Sequence, residues 1–119
     1  MSRERNEAAA RRYVQALHDK DLSVIEELYA SDATMEDPVG SDPIVGIQAI
    51  LEFYRLSGFP ALRSAEMSGP VRCVENGVAF PFRLTFMNEG DETLQNLDVI
   101  DTFEFDETGR VISMKAYWG

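Results

Sequence analysis

The hydrophobic period changes from about 3.6 residues to two partway along the chain, and this switch constrains the fold more than any other feature. In the first half, apolar residues recur three and four apart. Residues 3–18 carry Ala9, Ala10, Tyr13, Val14 and Leu17 on one stripe, with Ser2 as a candidate cap. Asp21 precedes a second stripe, Leu22, Ile25, Leu28 and Tyr29, and suits an N-cap because its carboxylate can accept from free N–H groups of the first turn. A third helix is expected from about Ile47 to Arg55, with Ile47, Ile50, Leu51 and Tyr54 on one face, ended by Ser57-Gly58-Phe59-Pro60. Residues 31–46, with Pro38, Gly40, Pro43 and several acids, read as loop with a short extended piece.

From about residue 63 the alternation is that of strands. Val78, Phe80, Phe82, Leu84 and Phe86 share one face, as do Leu97, Val99, Asp101, Phe103 and Phe105, and then Ile112, Met114, Ala116 and Trp118. Turn residues separate them at Asn76-Gly77, Asn88-Glu89-Gly90-Asp91 and Asp106-Glu107-Thr108-Gly109. Pro81 cannot donate to a ladder, so it marks a bulge or an edge. Helices first and an antiparallel meander after them give an α+β fold in one domain over residues 1–119. The twisted sheet is expected to curl into a cone whose open side the three helices close.

Composition narrows the chemistry. Eleven basic against 21 acidic residues give a net charge of −10, which argues against nucleic acid or an anionic membrane as partner. The charged N-terminal segment lacks an apolar signal core, and the chain reads as soluble and cytoplasmic. One cysteine, Cys73, and one histidine, His18, exclude an intrachain disulfide and leave too few ligands for a structural zinc site. There is no G-x-S-x-G elbow and no Gly-rich phosphate loop. Proton chemistry here would rest on carboxylates and tyrosines. His18, one residue past Leu17, turns off the apolar stripe and reads as a solvated helix-terminal residue.

Asp101 breaks the pattern. It lies between Val99 and Phe103 on an apolar strand face, while Arg83 and Lys115 fall on the opposite faces. A carboxylate buried without a cation is costly, so the group is expected to be neutral at pH 7 and able to donate a hydrogen bond. The plainer alternative is an aspartate satisfied by backbone N–H groups. Tyr13, Tyr29 and Tyr54 all fall on inward helix faces, and with Asp101 they suggest a polar network inside an apolar cone. Asp37, in the loop Glu36-Asp37-Pro38-Val39-Gly40, is by composition alone an ordinary turn residue.

The chain resembles the bacterial ketosteroid isomerases, within the cone-shaped group that includes nuclear transport factor 2. The resemblance is carried by Arg12-Tyr13-Val14, Asp32-Ala33-Thr34-Met35-Glu36-Asp37-Pro38-Val39-Gly40, Glu52-Phe53-Tyr54 and Gly69-Pro70-Val71-Arg72. It continues through Asp98-Val99-Ile100-Asp101-Thr102-Phe103-Glu104-Phe105 and Gly109-Arg110-Val111-Ile112-Ser113-Met114-Lys115-Ala116-Tyr117-Trp118. It implies that Asp37 is the general base, that Tyr13 and a protonated Asp101 form the oxyanion hole, and that Tyr29 and Tyr54 brace Tyr13. The implied reaction converts a 3-oxo-Δ5-steroid to its Δ4 isomer by moving a proton from C4 to C6, without cofactor or metal. Leu17, Phe53, Phe59, Phe80, Phe82, Val99, Phe103, Met114 and Trp118 are the expected pocket walls. The resemblance also implies a homodimer through the outer sheet face, where Ile100, Val111 and Tyr117 are expected. Two other readings stay open on the same cone: another small-molecule enzyme (cyclase, dehydratase or epoxide hydrolase), or a non-catalytic binder of apolar ligands.

Overall fold

Local chemistry sets the helix boundaries. The computed structural model describes residues 2–87, 90 and 92–119. Helix α1 spans Arg3–Asp19, where Ser2 Oγ accepts from the Arg5 N–H at 3.2 Å. It stops at Lys20, whose left-handed backbone lets its N–H reach the carbonyls of Ala16 and Leu17. Helix α2, Leu22–Leu28, starts at Asp21, whose carboxylate accepts from the Ser23 and Val24 N–H groups. Helix α3, Ile47–Phe53, runs into a π-helical turn at Tyr54–Gly58. The third helix is therefore shorter than Ile47 to Arg55 suggests, and its last residues belong to the wider turn. No helix among the described residues is long and apolar enough to cross a membrane.

Seven strands follow among these residues: β1 (Tyr29–Glu36), β2 (Ile44–Val45), β3 (Leu62–Met67), β4 (Arg72–Val74), β5 (Gly77–Met87), β6 (Leu94–Phe105) and β7 (Val111–Tyr117). They form one curved, unclosed sheet in the order β2-β1-β7-β6-β5-β3, with β4 also on β5. The fold is α+β, as expected, but the sheet is mixed rather than antiparallel, because β1 pairs in parallel with β7. Residues 31–36, expected as loop, belong to this strand, and Ile44–Val45 form the short β2 beside it. Tyr29 opens it and does not end a helix. Ala30, Ala33 and Met35 are buried with it, and a register shift between Tyr29 and Thr34 breaks the period of two that would have exposed the strand in the sequence.

The expected hairpins are present where they can be described. Val74 and Gly77 pair across Glu75–Asn76, and Gly109, at φ +88°, closes the turn from Asp106. The turn expected at Asn88-Glu89-Gly90-Asp91 lies outside the described residues except for Gly90. Pro81 sits where β3 ends and β4 has not begun. Its carbonyl accepts from Ser68 N–H on that side, so the N–H it lacks would have pointed into the gap. In β7 a register shift leaves Ile112 between the partners of Glu104 and Phe105. Val111 is thereby turned into the core and fully buried, correcting its expected place on the outer face.

The α1 stripe covers the concave sheet face. Tyr13 packs edge-on against Phe80 and Phe103, with ring centroids 5.9 and 5.1 Å apart. Beneath them Phe105, Met114, Val111 and Ile25 complete a closed apolar layer.

Candidate active site

A cavity of about 390 Å³ remains between α1, the π-helical turn and the concave faces of β5, β6 and β7. The period of two builds one wall. On β6, Asp101, Val99, Leu97 and Gln95 succeed one another along the cavity; on β5, Phe82, Leu84 and Phe86 pair across from the last three. Leu17 and Tyr13 face them from α1, and Phe53, Tyr54, Ser57 and Gly58 from α3 and its π-turn.

Asp101 is 1% exposed. Its cross-strand neighbours are Phe80 on β5 and Ala116 on β7, neither able to pair with a charge. The nearest basic side chain on the strand pair, Arg83, is on the other face and holds Asp98 at 2.9 Å. Burial therefore pushes the Asp101 carboxyl well above the usual carboxylate range; the charge of Asp37 adds to the rise, and the Tyr13 hydroxyl opposes it. Asp101 Oδ1 has no hydrogen-bond partner among the described residues.

The three tyrosines meet. The Tyr54 hydroxyl is 2.7 Å from that of Tyr13 and 3.0 Å from that of Tyr29. Each is fully buried, and desolvation raises all three above the ordinary phenol value. Tyr13 and Tyr54 line the cavity, while Tyr29 stands behind them. Tyr29 reaches the network from the first position of β1, a different element from the helix anticipated for it.

Asp37 follows the end of β1 and lines the cavity, half-buried. Its loop is tied to β7 by the Val39 N–H, which donates to the Ala116 carbonyl at 2.9 Å. Trp118 Nε1 donates to Asp37 Oδ1 at 2.6 Å. Burial raises the Asp37 carboxyl, and the indole bond works against that rise.

Of the expected walls, Leu17, Phe53, Phe82, Val99 and Trp118 line the cavity. Phe59, Phe80, Phe103 and Met114 are buried in the core and do not line it; the Tyr13 ring of α1 packs over Phe80 and Phe103. Leu62, Leu84, Phe86, Gln95, Leu97 and Ala116 also line the cavity, beyond the walls expected from the sequence. Leu84, Phe86 and Leu97 already shared the apolar strand faces and could have been chosen on that signal. His18 is outside the cavity; its Nδ1 accepts from the Ala65 N–H at 3.2 Å, on edge strand β3.

The arrangement offers a half-buried carboxylate, a buried carboxylic acid and a phenol converging on one end of an apolar pocket. It suits abstraction of a carbon-bound proton next to a carbonyl whose oxygen accepts from the acid and the phenol.

The chain is also similar in sequence to known proteins. The family model of the SnoaL-like domain matches residues 10–114. The chain is 41% identical over 114 residues to a steroid Delta-isomerase of Nocardioides simplex, covering 93% of this chain and 87% of that protein. It is 30% identical over 113 residues to the epoxide hydrolase LasB of Streptomyces lasalocidi, covering 90% of this chain but 39% of that protein.

Proposed function

The chain belongs to the SnoaL-like domain family, a cone-shaped group of the nuclear transport factor 2 type, and from its likeness to a steroid Delta-isomerase and from its site we propose that it is a steroid Δ-isomerase. It converts 3-oxo-Δ5-steroids to 3-oxo-Δ4-steroids. The observation that carries the reading is a buried, uncompensated Asp101 beside Tyr13 at one end of an apolar cavity that Asp37 also lines.

In this mechanism the substrate ketone lies against Tyr13 and Asp101. Asp37, ionised, takes a proton from C4, and the electrons move into a dienolate whose oxygen gains negative charge. Fixed donors in a water-poor site stabilise that charge without reorganising. The same carboxyl returns the proton to C6, giving the conjugated enone, so atoms and charge balance without cofactor or metal. Each phenol has one proton. The direction that serves the reaction is Tyr29 donating to Tyr54, Tyr54 to Tyr13, and Tyr13 to the substrate. Asp101 donates its own proton and therefore must be neutral, which its setting supports. Trp118 holds one oxygen of Asp37, and the free oxygen faces the substrate.

Among the described residues the cavity lining includes no histidine or arginine, which favours this reaction over hydration or cyclisation by a His-Asp or Asp-Arg-Asp set. The enzyme works in the cytoplasm as a homodimer joined through the outer sheet face. In support, Ile100 and Tyr117 are cross-strand neighbours there and are 49% and 48% exposed. The test is incubation with 5-androstene-3,17-dione, followed by absorbance of the conjugated enone. A rate no greater than buffer alone, from folded protein, rejects the proposal.

A further inference from the structure

Beyond the reacting end, the cavity has a second polar end. Along β6 its lining runs Asp101, Val99, Leu97, Gln95: an acid, two apolar residues, then an amide. The opposing strand supplies Phe82, Leu84 and Phe86 and adds no polar group. Strand rise places the Cα atoms of Asp101 and Gln95 about 20 Å apart before twist shortens the span. A rigid four-ring skeleton with an oxygen at each end fits between them, one hydrogen bond at either terminus, with the long Gln95 side chain taking up the remaining distance.

We propose that Gln95 is a specificity-determining residue that binds an oxygen substituent at the far end of the substrate, so that the enzyme prefers 3-oxo-Δ5-steroids bearing oxygen at C17. The proposal rests on the isomerase reading and names the substrate class more narrowly. A primary amide both donates and accepts, so it can serve a ketone or a hydroxyl. Gln95 is exposed in the free protein, and a bound steroid would cover it. Its contribution is the same in ground and transition states, because C17 is remote from the reacting carbons; it should appear in KM and not in kcat. Ser57, on the π-turn, also lines the cavity with a hydroxyl.

The test compares 5-androstene-3,17-dione with 5-androsten-3-one, which lacks the C17 oxygen. Wild type should favour the dione by roughly 3–10-fold in kcat/KM, the size of one neutral hydrogen bond. Gln95→Leu should lose that factor through KM on the dione, so that its kcat/KM ratio between the two substrates falls to about one. Gln95→Glu, an acceptor only when ionised, should shift preference toward a 17β-hydroxyl over a 17-ketone. Equal loss on both substrates overturns the proposal, as does a preference erased by Ser57→Ala and retained in Gln95→Leu. If wild type turns over neither steroid, the isomerase reading fails. Calorimetric affinities for the saturated 3,17-dione and 3-ketone then decide on Gln95 by the same comparison.

Discussion

Trp118 and Asp37 are 81 residues apart in the chain, and the indole N–H of one lies 2.6 Å from a carboxylate oxygen of the other. The bond joins the end of β7 to the loop after β1, and the parallel pairing of those strands makes it possible. Trp118→Phe keeps most of the wall and removes the donor. Because the bond lowers the Asp37 pKa, its loss should move the acid limb of the pH–kcat/KM profile upward. The rate at the plateau should fall by up to about tenfold as the carboxylate loses its fixed orientation. An unshifted limb would show that the indole does not act on the base.

Asp37→Asn removes the only carboxylate, among the described residues, that lines the cavity without being deeply buried. Proton transfer by a positioned base is worth roughly 10²–10⁴-fold, and a loss in that range is expected with the thermal midpoint little changed. A variant within tenfold of wild type would move the base elsewhere.

How far the sequence goes depends on whether a residue's position follows from its neighbours. Asp101 was legible because it interrupts a run of inward apolar residues, and an ionisable group in such a run has few physical outcomes. Tyr13 and Tyr54 follow from the helical stripe in the same way. Tyr29 does not: it continues the α2 spacing, yet the chain turns into a strand there, and its partner strand lies some eighty residues downstream. The register shifts at Tyr29/Thr34 and Glu104/Phe105 are set by pairing with distant strands, so local alternation alone puts Val111 on the wrong face. Facing inward was readable for Phe80 and Phe103. Lining the cavity was not, since it depends on what α1 covers.

Tyr54→Phe should break the chain of hydroxyls at its centre. The Tyr13 and Tyr29 oxygens are fully buried and 2.7 and 3.0 Å from the lost group, so each is left short of a partner. A stability loss of about 1–3 kcal/mol is expected from denaturant unfolding. A fall in kcat larger than in 1/KM would follow if the network acts on the developing oxyanion. Equal stability of variant and wild type would mean that the hydroxyls are rehydrated.

Phe103→Ala separates the packed layer from the wall. The ring touches Tyr13, Tyr29, Phe80 and Phe105 and is 2% exposed. Its deletion leaves a cavity and should cost about 3–5 kcal/mol, whereas Leu97→Ala, on the lining, should raise KM with a smaller stability change. The reverse ranking, measured by urea midpoints, would put Phe103 on the substrate.

Asp101→Asn tests the protonation state through stability. A carboxyl whose pKa is raised by folding holds a proton in the native state that the unfolded chain releases above about pH 4. Between the unfolded and the native pKa the native state binds more protons, so wild-type stability should decline as pH rises, by up to about 1.4 kcal/mol per pH unit. Asparagine has nearly the same shape and nothing to ionise. The variant should therefore show a flatter profile from pH 5 to 9 and gain on wild type toward the alkaline end. Activity should fall less than in Asp101→Leu, for which about 10²–10³-fold is expected, because the amide still offers one donor to the oxyanion. Parallel stability profiles for wild type and Asp101→Asn would mean that Asp101 is ionised at neutrality, and the oxyanion hole would then lack one of its two donors.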